Sequence, residues 1–196
     1  MRQSADYDGA LKECLQAHPP LRSLRHKVLI YVAMGLPGKA QKTMDEMKEL
    51  IGPVDQPQSS REYYHLMGQI EISKGNFAKA TEFLKEVVLS LPYPYRKNNN
   101  HAFYIDSLAH AFYKSGDIKS AEAEYRKITE LTTSRLFFGD IYAKSYYMLG
   151  KIYEQQGDTS KAIEHYEKFL DLWKDADPGT AEVADARERV AGLKDK

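Results

Sequence analysis

The side chains best suited to chemistry here are six histidines, one cysteine and many carboxylates, and their spacing argues against most of what they could do. His18, His26, His65, His101, His110 and His165 include no pair placed to set two metal ligands side by side three or four residues apart within one zinc motif. Asp45-Glu46 and Glu122 with Glu124 fall where solvated helix faces are expected. No glycine-rich phosphate loop followed by a lysine strand occurs, and neither His-Arg-Asp nor Asp-Phe-Gly is found. The sequence therefore predicts neither an enzyme nor a metal or cofactor site. A single cysteine, Cys14, excludes an intrachain disulfide framework, so a reducing, cytoplasmic setting is predicted.

Charge and hydropathy narrow the partners. The 28 basic and 28 acidic residues cancel, so the chain lacks the positive field that nucleic-acid binding generally requires. The local cluster Arg22, Arg25, His26 and Lys27 reads as a solvated helix face, with a local basic patch as the alternative. No apolar run approaches membrane-spanning length, and no basic stretch followed by an apolar core opens the chain.

The elements that must position these residues show through a period. Gly75, Gly116 and Gly157 lie 41 residues apart, and Gly35 lies 40 residues before the first of them. Each is followed five residues later by an alanine: Ala40, Ala80, Ala121 and Ala162. The fullest unit runs from Ala143 to Leu170, with Tyr146, Leu149, Gly150, Tyr153, Gly157, Ala162, Tyr166 and Leu170 at helical spacings. Gly150 and Ala162 are small enough to let two helices approach, and Leu149, Tyr153 and Tyr166 fill the space between them. Gly157 suits the left-handed conformation that ends a helix, and Asp158 suits the N-cap of the next. Nothing alternates strictly enough to read as a strand.

This pattern resembles the tetratricopeptide repeat, whose unit of about 34 residues carries aromatic, leucine-glycine, tyrosine, alanine, aromatic and proline positions. The unit from Arg61 supplies Tyr64, Met67, Gly68, Gly75, Ala80, Leu84 and Pro92, and departs at Glu71, where the family has an aromatic. The unit from Ala102 supplies Ile105, Leu108, Ala109, Phe112, Gly116, Ala121 and Tyr125. The earliest, from about Leu21, is weaker: Leu24, Val28, Tyr31, Gly35, Ala40 and Met44. The resemblance implies an all-α fold, a right-handed α-solenoid of antiparallel helix pairs with a period of about 41 residues and a C-terminal capping helix. One repeat domain over residues 1–196 is expected, divided into a half repeat (1–18), four repeats (21–53, 59–92, 100–133 and 141–174) and the cap (177–194).

Seven extra residues per unit fall at Gly52–Ser60, Pro92–His101 and Thr132–Tyr142. Seven is close to two helical turns, so lengthened helices would keep their buried faces aligned, and a longer loop is the alternative. Ser59-Ser60 and Asp140 look like helix starts, whereas Pro92-Tyr-Pro94 and Asn98-Asn-Asn100 look like loop. A mixture is expected, with Pro94–Asn100 exposed.

The two ends differ. Asp6 to Leu15 reads as the second helix of a repeat, with Ala10 in the small position and no first helix before it. Leu11 and Leu15 would then lie uncovered, so the chain is expected to be a fragment of a longer bacterial protein, with homodimerisation through the half repeat as the companion idea. At the other end, Asp177-Pro178 resembles a helix start. Val183, Arg187, Val190 and Leu193 form one predicted stripe, with Glu182, Asp185, Glu188 and Lys194 facing water. The last quarter is similar to C-terminal repeat regions of large bacterial signalling proteins of the kinase, cyclase or transcriptional-activator type.

The family resemblance also implies where partners bind, since the first helix of each unit lines a concave groove. The implied groove residues are Glu62, His65, Gln69 and Ser73, then Phe103, Asp106, His110 and Tyr113, then Lys144, Tyr147, Lys151 and Glu154. These groups suit an extended or helical peptide. A carboxylate clamp of the co-chaperone kind is not expected: only Lys144 has a suitable type, while Met148, Leu29 and Leu66 occupy its other positions. The predicted function is a protein-binding scaffold. An intramolecular regulatory or spacer segment of a signalling protein is the alternative.

Overall fold

The computed structural model describes residues 6, 7, 9, 20–51, 57–91, 101–175 and 180–195. The expected half repeat, apart from Asp6, Tyr7 and Gly9, lies outside them, as do residues 52–56, Pro94–Asn100 and Asp177-Pro178. The described residues form helices and turns with no strand among them, as the sequence predicts, in two compact units split between Leu91 and Pro92.

The first unit contains α1 (Pro20–Ala33), α2 (Pro37–Ile51), α3 (Pro57–Ser73) and α4 (Phe77–Leu89). Helix α1 pairs with α2 and α3 with α4, while α3 also packs on α1 and α2. Val28, Ala40, Met44, Met47, Leu66 and Ile70 are buried together at that junction. Each large apolar side chain removed from water there contributes about 1.5–3 kcal/mol.

The second unit contains α5 (His101–Ser115), α6 (Ile118–Glu130), α7 (Thr132–Phe137), α8 (Gly139–Gln155), α9 (Thr159–Leu172) and α10 (Ala181–Lys194). Helices α5 and α6 form one pair and α8 and α9 another. Helix α8 packs on both α6 and α5, and α10 packs on α9. Helix α7 is neither a loop nor an extension of a neighbour. The sequence around Thr132 gave no separate helix, yet these residues form a short one that rests on α6 and α8 and leaves Leu136 and Phe137 exposed.

The turn between paired helices is built the same way four times. Gly35, Gly75, Gly116 and Gly157 have φ of 70°, 78°, 86° and 81°, the left-handed region that a side chain disfavours. Each glycine N–H bonds the carbonyl three residues back, and the next residue's N–H bonds the carbonyl five back, as in Asp158 N to Tyr153 O at 2.9 Å. That double closure satisfies the free carbonyls of the first helix. Asp117 and Asp158 then start the second helix by accepting from Ser120 N and Lys161 N, both at 3.1 Å.

Asn76 does not cap in this way, because Glu71 recruits its side chain. Glu71 is buried where the family has an aromatic. It accepts from Asn76 Nδ2 and Lys74 Nζ, each at 2.9 Å, with Lys79 at 3.7 Å. Burial pushes its carboxyl up, but those hydrogen bonds and lysine charges together hold it below the ordinary value.

The periodic small residues do what their size implies. Ala40, Ala80, Ala121 and Ala162 are fully buried. A Cβ on Gly150 would lie 2.6 Å from the Tyr166 ring, and one on Gly68 would lie 2.6 Å from Leu84. The corresponding positions of the other repeats carry Val28 with Met44 and Ala109 with Tyr125, so a glycine stands opposite a large side chain in two of the four.

The stripe on α10 is corrected by the structure. Val183, Ala186 and Leu193 are buried and Val190 is half-buried, whereas Arg187 is exposed. Ala186 carries little apolar signal in the sequence, yet it is fully buried. The helix starts at Ala181, after Thr180 at the N-cap position.

Candidate functional site

In the first unit, α3 carries Glu62, His65 and Gln69, one turn apart along the helix. Glu62 pairs with Arg25 of α1, Oε1 to NH1 at 2.8 Å. His65 is only 3% exposed, and its Nε2 lies 3.2 Å from Gln69 Nε2. Burial, followed by the Arg25 charge, lowers the His65 pKa to about 3, so its ring is neutral at physiological pH. The three residues therefore serve packing and pairing between α1 and α3 as much as any surface.

In the second unit, α5 carries Phe103, Asp106, His110 and Tyr113 at spacings of three and four, which set them along one helix face. All four are half-buried. Burial, then the Lys114 charge, lowers the His110 pKa, leaving a neutral imidazole that can both donate and accept. Burial raises the Asp106 carboxyl pKa to about 6, with Lys144 lowering it and Asp140 raising it. Lys144 and Asp140 both belong to α8, which packs on α5.

Helix α8 carries Lys144, Tyr147 and Lys151, and here the structure adds residues that sequence reasoning missed. Tyr147 Oη donates to Asp185 of α10 at 2.7 Å, and its ring centre lies 5.3 Å from that of Phe169. Arg189 donates through Nε to the same Asp185 oxygen at 2.7 Å and through NH1 to Glu154 at 2.9 Å. Tyr166 Oη also donates to Glu154, at 2.7 Å. The result is a chain of charge-assisted bonds, Tyr147–Asp185–Arg189–Glu154–Tyr166, joining α8, α9 and α10. The Arg189 bond, opposed by burial and aided by Tyr147, holds the Asp185 carboxyl below its ordinary value. Burial first, then the Asp185 bond, pushes the Tyr147 hydroxyl up.

Two lysines border this network. Lys144 Nζ lies 3.5 Å from Glu182 and 5.7 Å from the centre of the Trp173 ring. Lys151 Nζ lies 5.4 Å from the Tyr147 ring centre. Of the residues expected in water, Glu182 and Asp185 are half-buried and paired with Lys144 and with Tyr147 and Arg189, whereas Glu188 and Lys194 are exposed, Lys194 bonding the exposed Glu167 at 2.6 Å. The order Glu182, Asp185, Arg189 is the signal the sequence offers, and it becomes readable only with α10 beside α8 and α9.

A separate depression of about 390 Å³ is lined by Tyr146, Glu164, His165, Glu167, Lys168 and Asp171. It shares no residue with the α5 and α8 groove positions. Among the described residues, no helix is long and apolar enough to cross a membrane.

Comparison with known proteins fixes the architecture. Tetratricopeptide repeat models match residues 100–175 and 62–90, together more than half of the chain. The chain belongs to the tetratricopeptide repeat family. No curated protein matches its sequence significantly. Among solved structures, this repeat protein is similar to BtubC (BKLC) from P. vanneervenii, with a TM-score of 0.72 at 19% identity, covering 99% of this chain and 82% of that one. It is also similar to MamA, with a TM-score of 0.58 at 21% identity, covering 89% and 92% of the two chains. A third likeness is to a signal transduction ATPase with numerous domains and a tetratricopeptide repeat sensor, from Pyrococcus horikoshii. There the TM-score is 0.68 at 15% identity, covering 97% of this chain but 29% of that one. At these identities the three likenesses speak to the fold. Tetratricopeptide repeats indicate a protein–protein interaction scaffold, the role open to helix pairs that display side chains on regularly spaced first helices.

Proposed function

We propose that the chain is a non-catalytic scaffold that binds a protein or peptide partner on the face formed by α5 and α8. The observation carrying this reading is the set Phe103, Asp106, His110 and Tyr113 on α5 beside Lys144, Tyr147 and Lys151 on α8. These residues offer aromatic rings, a neutral imidazole, a carboxylate and two ammonium groups, and Tyr147 and Lys144 each have a partner on α10. Preorganised side chains lose little entropy on binding. In the first unit, Glu62, His65 and Gln69 form the corresponding positions, with His65 as a supporting rather than a contacting group.

The test is selection of twelve-residue peptides from a display library against the full chain, followed by binding measurements on variants. Phe103→Ala and Tyr113→Ala should each weaken the selected peptides about tenfold, as truncation of an aromatic anchor does. Unchanged affinity in both variants would remove the α5 and α8 face from consideration.

A second reading is favoured by the likeness to the sensor-bearing ATPase, in which the chain serves as the sensing segment of a larger signalling protein. Under that reading, the same face would engage another segment of the parent protein in preference to any selected peptide.

A further inference from the structure

The second unit leaves two large apolar side chains in water, and they are neighbours in the chain. Leu136 is 66% exposed and Phe137 57%, and Phe138 beside them is half-buried. Single exposed apolar residues are ordinary on a protein surface, but an adjacent pair of this size marks an interaction surface. The pair does not serve the fold's own packing. A helix of six residues is too short to persist on propensity, so α7 depends on the surface that α5, α6 and α8 give it. Its two largest apolar side chains nevertheless stay mostly in solvent instead of entering that contact.

Charge around the pair is ordered. Arg135 precedes it on α7, and Asp140 follows it in the first turn of α8, beyond the bend at Phe138 with φ −135° and ψ 51°. Both are exposed, and among the described residues neither enters a hydrogen bond or ion pair. The charged residues next along the chain on either side are paired, Glu130 with Arg126 at 3.8 Å and Lys144 with Glu182 at 3.5 Å. A base before an apolar pair and an acid after it make a surface complementary to itself. Half a turn about an axis through Leu136 and Phe137 brings Arg135 of each copy towards Asp140 of the other, while the apolar side chains cover one another. Any other partner would have to carry that order reversed; a second copy carries it by symmetry.

We propose that Leu136 and Phe137 form the centre of an isologous contact with a second copy of this chain, closed at each end by an ion pair between Arg135 and Asp140. This surface shares no residue with the α5 and α8 positions assigned to partner docking, so the two assignments stand or fall separately. Its size sets its strength. Two apolar side chains and their charged flanks fall well short of the roughly 800 Å² per partner of a standard interface, so the dimer is weak and depends on concentration.

The experiment is sedimentation equilibrium of the full chain from about 10 μM to about 1 mM in low salt. The weight-average mass should rise from that of the monomer towards that of the dimer. Leu136→Ser and Phe137→Ser should each weaken association at least about tenfold. Arg135→Glu and Asp140→Arg should each do the same, because both ends of the contact then bring like charges together. The double variant Arg135→Glu/Asp140→Arg should recover association to within about threefold of native. An equimolar mixture of the two single charge variants should recover it equally, since each then meets its complement. All four positions are exposed, so helix content by circular dichroism should be unchanged throughout.

A native chain that stays monomeric up to about 1 mM would overturn the proposal. Association that survives Leu136→Ser and Phe137→Ser would also overturn it, placing the contact on another face. So would a loss in the single charge variants that neither the double variant nor the mixture restores, because two-fold pairing requires both rescues.

Discussion

Replacing Gly150 by alanine sets two effects of opposite sign against each other. In a helix interior, alanine is favoured over glycine by about 0.5–1 kcal/mol, so propensity alone predicts a more stable protein. Packing opposes this. The new Cβ would lie 2.6 Å from Tyr166 Cδ1, 2.7 Å from Cε1 and 2.9 Å from Cγ, so the ring would have to move by about an ångström. Tyr166 is 0% exposed and its hydroxyl is tethered to Glu154 at 2.7 Å, so the ring cannot swing aside without straining that bond. Overpacking of this kind costs about 1–3 kcal/mol, leaving a net loss of up to about 2.5 kcal/mol. For a chain of this size the upper end lowers the thermal midpoint by about 5–10 °C, read by circular dichroism at the helix band. Gly192→Ala, on a helix with nothing within 4 Å of the added methyl, isolates the propensity effect and should raise the midpoint. If Gly150→Ala also raises it, the close approach of α8 and α9 is not what requires the glycine, and the reasoning fails.

Other consequences follow from the same contacts. Because the folded-state pKa of Asp106 is raised to about 6, the folded protein binds the extra proton at low pH and loses that advantage as pH rises through 6. Asp106→Asn should therefore raise the urea midpoint at pH 7.5 and leave it unchanged near pH 4; a lowered midpoint at pH 7.5 would contradict the burial assigned to the carboxylate. His65 behaves in the opposite sense with pH: its folded-state pKa of about 3 lies below the ordinary 6.5, so stability present above pH 6.5 declines as pH falls towards 3. The decline should reach at most about 2 kcal/mol by pH 5 and be smaller in His65→Gln, measured by urea titration at several pH values. Tyr147→Phe keeps the ring against Phe169 but deletes the donor to Asp185, and should cost about 1–2 kcal/mol in the same assay. Retained stability in that variant would mean the bond to α10 is dispensable.

The repeat itself was legible because its causes are local. A left-handed glycine, an acidic cap directly after it and a small residue five positions on are each dictated by a single turn, so Gly157, Asp158 and Ala162 declare their roles in order. The helix pairing was legible for a related reason, since Gly150 opposite Tyr166 is a matching of sizes within one hairpin. Helix α7 was not legible: the six residues Thr132–Phe137 carry no cap pattern or long stripe, and they are helical because α6 and α8 give them a surface. Glu71 shows the same limit. Its departure from the aromatic position was plain, but its compensation by Lys74, Asn76 and Lys79 depends on how the turn folds back.

The groove positions came from the resemblance, and their partners came from three dimensions. Tyr147 and Asp185 are 38 residues apart, as far as one repeat from the next, so no spacing rule within a helix links them. His65 was read as a groove residue because of its helix position, while its burial depends on α1 packing across it. Asp106 is implied as a groove position by the same resemblance, and its raised pKa depends on burial within the folded chain.

Hydrogen exchange of the full chain, with and without a peptide selected from the display library, tests the central claim most directly. Slowed exchange in α5 (His101–Ser115) and α8 (Gly139–Gln155), with little change in α2, α4 and α9, is the predicted result. Protection confined to α2, α4 or α9, with α5 and α8 unchanged, would contradict it.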